Sequence, residues 1–161
     1  MSTIQEVEKV VYTAKIHTTG GRDGGTAQSN DDRLSITLSI PGSGGTGTNP
    51  EQLFAAGWSA CFEGALGIAA RKLKVSVPRE IAIDSEVGLC VKGSSYFLRA
   101  RLNVILPGVP RDVCATLIES AHEICPYSKA IRGNIDVLIS LVESDSTTAI
   151  IQTNLSSECV A

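Results

Sequence analysis

Four residues spread along the 161-residue chain carry side chains that could act on one another: Arg22, Glu51, Cys61 and Cys125. A thiolate is the reactive form of cysteine; a neighbouring guanidinium lowers the thiol pKa, and a carboxylate can fix the fork of the arginine. Brought together, Cys61, Arg22 and Glu51 would make a poised nucleophile. With a peroxide such a thiolate gives a sulfenic acid, which a nearby thiol converts into a disulfide. Cys125 is the candidate for that second thiol. The residues alone leave this one reading among several, because a cysteine inside an apolar helix is usually a small buried hydrophobe.

The five cysteines stand at 61, 90, 114, 125 and 159 without a CxxC pair, and the two histidines are His17 and His122. This does not resemble a zinc site, and neither a metal nor a bound cofactor is expected. A net charge of −3 with scattered basic residues argues against nucleic acid as a partner. The opening residues, Met1 to Lys9, lack the basic start and apolar core of a signal peptide, so a cytoplasmic protein is expected.

The elements that must position these residues start with Thr48-Asn49-Pro50-Glu51. Asn49 suits an N-cap and Pro50 the first helical position, so a helix should run from here to about Lys72. From Leu53 to Ala70 it is apolar almost all round, which suits a core or a subunit interface. The run approaches membrane-spanning length, but Gly57, Glu63, Gly64 and Gly67 with a capped start favour a soluble core helix. Glu51 lies in its first turn and Cys61 in its middle.

Before this helix, Val10 to His17 alternates as a half-buried strand, with His17 on the more polar face. Leu34 to Ile40 alternates as a second strand, expected antiparallel to the first through Thr18-Thr19-Gly20-Gly21-Arg22-Asp23-Gly24-Gly25. That loop displays Arg22. The later glycines, from Gly42 to Gly47, lack the GK[ST] ending of a phosphate-binding loop and read as a flexible lead-in.

After the helix, residues 81–91 and 96–106 read as a hairpin around Lys92-Gly93-Ser94-Ser95, with Arg99 and Arg101 on its solvated face. Pro110 opens a second helix with an apolar stripe from Val113 to Ile124, and Pro126 ends it at Cys125. Cys125 therefore sits where backbone can pivot, while Cys114 lies within the helix as packing. Ile135 to Val142 is a last strand. The predicted class is α+β, antiparallel sheets around a buried central helix, in one domain over 1–142 with a polar tail over 143–161.

Three motifs, Thr-Gly-Gly-Arg-Asp-Gly at 19–24, Thr-Asn-Pro-Glu-Gln-Leu-Phe-Ala-Ala-Gly-Trp-Ser-Ala-Cys-Phe at 48–62 and Ala-His-Glu-Ile-Cys-Pro-Tyr-Ser-Lys-Ala-Ile-Arg-Gly-Asn-Ile-Asp-Val at 121–137, closely resemble the organic hydroperoxide resistance (Ohr) branch of the Ohr/OsmC family. The resemblance runs in order over roughly residues 8–142. It implies an intertwined homodimer with two active sites at the subunit interface. It assigns the peroxidatic cysteine to Cys61, the resolving cysteine to Cys125, the thiolate-activating arginine to Arg22 and the glutamate that positions it to Glu51. The implied activity is reduction of organic hydroperoxides, including lipid-derived ones, to alcohols, through a Cys61–Cys125 disulfide that dihydrolipoyl groups of lipoylated proteins restore. Trp58 stands where the family commonly has tyrosine, and Cys90, Cys114 and Cys159 are additional thiols. The OsmC branch, with broader peroxide use, and a non-catalytic dimeric module with buried cysteines are the competing readings.

Overall fold

The computed structural model describes residues 9–142. The expected tail over 143–161, with Cys159, lies outside the described residues. The chain forms two compact units, one up to Pro50 and one from Glu51 onward.

In the first unit β1 (Ile16–Thr19), β2 (Thr26–Ser29) and β3 (Ser35–Thr37) form an antiparallel sheet in that order. The loop between β1 and β2 depends on its glycines. Gly20, Gly21 and Gly24 have φ of 73°, 64° and 78°, a region that costs glycine little. A Cβ on Gly25 would run into the carbonyl oxygens of Thr19 and Gly21. Arg22 and Asp23 ride on this tight turn.

Two expectations are corrected here. Residues 10–15 form no strand and are exposed, Val11 by 90%. Pairing starts only where β2 gives out, with the Asn30 N–H donating to the Lys15 carbonyl at 3.1 Å. The glycine loop leads into Thr26–Ser29 rather than Leu34–Ile40, and β3 pairs with that intervening strand. β2 escapes a hydrophobic-pattern reading because Ala27 is its one apolar residue.

The second unit is built on α1 (Pro50–Leu73), close to the expected span. Trp58, Phe62, Ala65, Leu66, Ala69 and Ala70 are buried and fall on one helical face. Leu53 and Ile68, on the stretch expected in a core or a subunit interface, are exposed in the single chain. α1 is long and apolar enough to cross a membrane by composition. Trp58, Phe62 and Leu66 instead pack into the core of the second unit.

β4 (Ala82–Lys92) and β5 (Ser95–Ile105) make the expected hairpin, with Gly93 at φ 60° in a two-residue turn. On β5, Ala100, Leu102 and Val104 turn inward while Arg99 and Arg101 turn outward. α2 (Arg111–Ile124) follows Pro110, and α3 (Pro126–Ile131) follows at once. β6 (Asp136–Val142) then pairs with β5 in parallel, from Arg99 opposite Asp136 to Ile105 opposite Val142. Antiparallel pairing was expected, yet two helices between the strands supply the long crossover that a parallel pair requires.

Leu102 and Val104 of β5, Leu117 and Ala121 of α2, and Trp58 and Phe62 of α1 meet in one core cluster. Leu102 is fully buried. Leu102→Ala should lower unfolding stability by about 2–5 kcal/mol, read as a reduced denaturant midpoint with an unchanged slope.

Candidate functional site

Cys61 lies mid-way along α1, half-buried between Trp58 and Phe62, both wholly buried. Cys125 reaches it from a sharp bend. Pro126 excludes helical geometry from the residue before it, so α2 must stop, and Cys125 adopts φ −60° and ψ 121°. Its N–H still donates to Ala121 O at 2.8 Å, and its carbonyl accepts the Lys129 N–H at 3.0 Å. Cys125 is thus the C-cap of α2 and the N-cap of α3, and Pro126 is the first residue of the new helix, a position that tolerates proline.

The bend delivers the Cys125 thiol, completely buried, to 3.3 Å from Cys61 Sγ, to which it donates. Both thiols are free. A disulfide bond is about 2.05 Å long, so closure requires about 1.3 Å of approach. Burial pushes the Cys61 thiol above its ordinary value, and the adjoining Cys125 thiol adds to the rise. The backbone N–H of Tyr127, directed at the same sulfur, acts the other way.

The structure joins Cys61 and Cys125 within one unit. Glu51 stands in the first turn of α1, ten residues before Cys61, about 15 Å away along a straight helix. Arg22 stands on the β1–β2 loop of the first unit. Neither Arg22 nor Glu51 lacks an interacting partner. Cys114 is buried and donates to the Val109 carbonyl at 3.4 Å, and Cys90 faces the Gly88 carbonyl at 3.8 Å. Among the described residues no three His, Cys, Asp or Glu side chains gather to hold a metal.

Aromatic rings stand beside the thiols. Phe54 lies 6.0 Å from Trp58 and 6.0 Å, edge-on, from Tyr127. Trp58 Nε1 donates to the buried Ser128 Oγ at 3.2 Å. Of the other apolar side chains near the motifs, Phe62 is core and Phe97 is half-exposed on β5. Tyr127 and Ser128 were not singled out by sequence reasoning. The signal that could have found them is Pro126, which starts a helix as well as ending one.

Residues 42–140 match the family described as OsmC-like protein. The chain is 47% identical over 138 residues to the organic hydroperoxide resistance protein of Xanthomonas axonopodis pv. citri, covering 83% of this chain and 96% of that one. The chain belongs to the OsmC-like family, in its Ohr branch. Solved Ohr structures share its fold. The organic hydroperoxide resistance protein of Legionella pneumophila superposes with a TM-score of 0.77 at 39% identity, over 83% of this chain and 98% of that one. Bacillus subtilis OhrB superposes with a TM-score of 0.76 at 39% identity, over 82% and 99%.

One turn before Cys125 on α2 of this Ohr chain, His122 is buried with Nδ1 unpaired among the described residues. Its carbonyl accepts Arg132 Nη2 at 3.0 Å, and Arg132 pairs with Glu123 at 3.0 Å. Burial holds the imidazole pKa below its ordinary 6.5, the Arg132 charge lowers it further, and Glu123 offsets part of this. Above that ordinary value the ring is neutral folded or unfolded. As pH falls, the unfolded chain takes up a proton that the folded chain resists, so stability is lost. Urea midpoints at pH 7.5 and 5.5 should show this loss, and His122→Leu should show a smaller one.

Proposed function

We propose that the chain is a cysteine-based peroxidase that reduces organic hydroperoxides, including lipid-derived ones, to alcohols. The observation that carries this is the 3.3 Å contact between two thiols 64 residues apart. The names of the relatives, organic hydroperoxide resistance proteins, support the substrate class.

In the first step the Cys61 thiolate attacks the distal peroxide oxygen. The O–O bond breaks, an S–O bond forms, and the alkoxide leaves with a proton as the alcohol. In the second, Cys125 sulfur attacks Cys61–SOH; the S–S bond forms, the S–O bond breaks, and hydroxide departs with the thiol proton as water. An external dithiol, here the dihydrolipoyl group of a lipoylated protein, reduces the disulfide and becomes a disulfide itself.

Burial works against the first step by favouring the neutral Cys61 thiol. A cation must compensate, and Arg22, oriented by Glu51, is assigned that role. The active form is a homodimer. The exposed Val10, Val11 and Tyr12, together with the outward Leu53 and Ile68 of α1, are apolar surface that a second copy would cover. The reading places the enzyme in the cytoplasm, where lipoylated proteins and a reducing pool keep the thiols ready.

Thiol titration before and after one equivalent of cumene hydroperoxide tests the reading. Wild type should lose two thiols and release one cumyl alcohol, whereas Cys61→Ser should lose none. Cys125→Ser should accept one oxidation and stop at the sulfenic acid. Arg22→Ala should slow the first step by about tenfold for each unit by which the thiol pKa rises, and should move its pH dependence upward. An Arg22→Ala enzyme that reacts as fast as wild type at neutral pH sinks the activating role.

A further inference from the structure

Gly57 lies one turn before Cys61 on α1. A Cβ on it would stand 2.9 Å from Tyr127 Oη and 3.3 Å from Cζ. Cβ atoms do not sit 2.9 Å from another residue's oxygen, so the phenol occupies the space that a side chain at position 57 would take. The same ring meets Phe54 edge-on. Next along the chain, fully buried Ser128 accepts the hydrogen bond from Trp58.

These contacts are in step. Phe54, Gly57, Trp58 and Cys61 recur at intervals of three, one and three, which places them on one face of a helix. Cys125, Tyr127 and Ser128 face them from the α2–α3 bend. Cys125 itself has extended dihedrals, with its N–H bonded to Ala121 and its carbonyl to Lys129. The contacts of Tyr127 and Ser128 with α1 follow directly along the chain.

We propose that the Tyr127 ring seated on Gly57, with the Trp58–Ser128 hydrogen bond beside it, holds the bend so that the Cys125 sulfur stays within reach of Cys61, making Gly57 a positioning residue for disulfide closure. The assignment of closure to a peroxidase cycle rests on the function proposed above; the seat itself concerns only whether the two sulfurs meet. A side chain at 57 pushes Tyr127 outward and carries the bend with it. The overlap at the phenol oxygen is about half an ångström, and a misplacement of about 1 Å at a reacting centre costs on the order of a hundredfold in rate, a smaller one less.

The test is Gly57→Ala, alone and with Tyr127→Phe, which deletes the oxygen that the new methyl would meet first. Alanine is the better helix former, so a defect is not owed to a weaker α1. The first measurement is the equilibrium of the Cys61–Cys125 disulfide against oxidised and reduced dithiothreitol, which involves no peroxide. The second follows reaction with cumene hydroperoxide, resolving sulfenic acid formation, trapped by dimedone, from loss of the second thiol. Gly57→Ala should reduce the disulfide equilibrium constant, and should reduce the ratio of closure rate to first-step rate by about tenfold. Emission of the protein's one tryptophan should shift as Trp58 parts from Ser128. Adding Tyr127→Phe should recover at least half of the loss on a logarithmic scale. Wild-type closure and equilibrium in Gly57→Ala, or no recovery in the double variant, overturns the proposal. If cumene hydroperoxide leaves wild-type thiols untouched, the peroxidase reading fails, and the dithiothreitol equilibrium still decides the seat.

Discussion

A thiol in the middle of a long helix can be met at bonding range only by a sulfur that some other segment carries up to it, and the ring of Pro126 governs that approach. Because proline bars helical geometry from Cys125, α2 stops and α3 starts within one residue. Helix hydrogen bonding continues on both sides of the break, through Cys125 N–H to Ala121 and Lys129 N–H to Cys125. The chain therefore turns sharply while the Cys125 N–H and carbonyl both stay paired. Both the Cys125 thiol and the Tyr127 N–H converge on Cys61 as a result.

Two effects meet at that sulfur with opposite sign. Burial disfavours charge and raises the Cys61 pKa, while the Tyr127 N–H favours the thiolate. Burial is the larger, so the bend alone does not ionise the thiol. That is why the proposed mechanism needs a guanidinium from outside the helix–bend pair.

Helix starts and the tight turn are legible in the sequence, whereas the alternation over residues 10–15 makes no strand. Asn49-Pro50 marks the start of α1, Pro110 that of α2, and Lys92-Gly93-Ser94-Ser95 the β4–β5 turn, because each depends on residues within one turn of the boundary. β2 has one apolar residue and no alternation to detect. The parallel setting of β6 depends on where two intervening helices return the chain, which no strand sequence encodes. In the site, Cys61 and Cys125 stand out by chemical type. Gly57, Tyr127 and Ser128 acquire meaning only when segments about 70 residues apart are packed together.

The distribution of rigidity decides which sulfur must move. Cys61 is carried by an unbroken helix whose neighbouring Trp58 and Phe62 are wholly buried, so displacing it means displacing core. Cys125 sits at a bend, but the bend is tied on both sides. Arg132 ties its far end to the His122 carbonyl and to Glu123, and Ser128 ties α3 to Trp58. With both flanks held, the closure of the proposed mechanism needs about 1.3 Å of approach from the 3.3 Å contact. The α2–α3 junction is thus tied on both sides of the residue that carries the second sulfur.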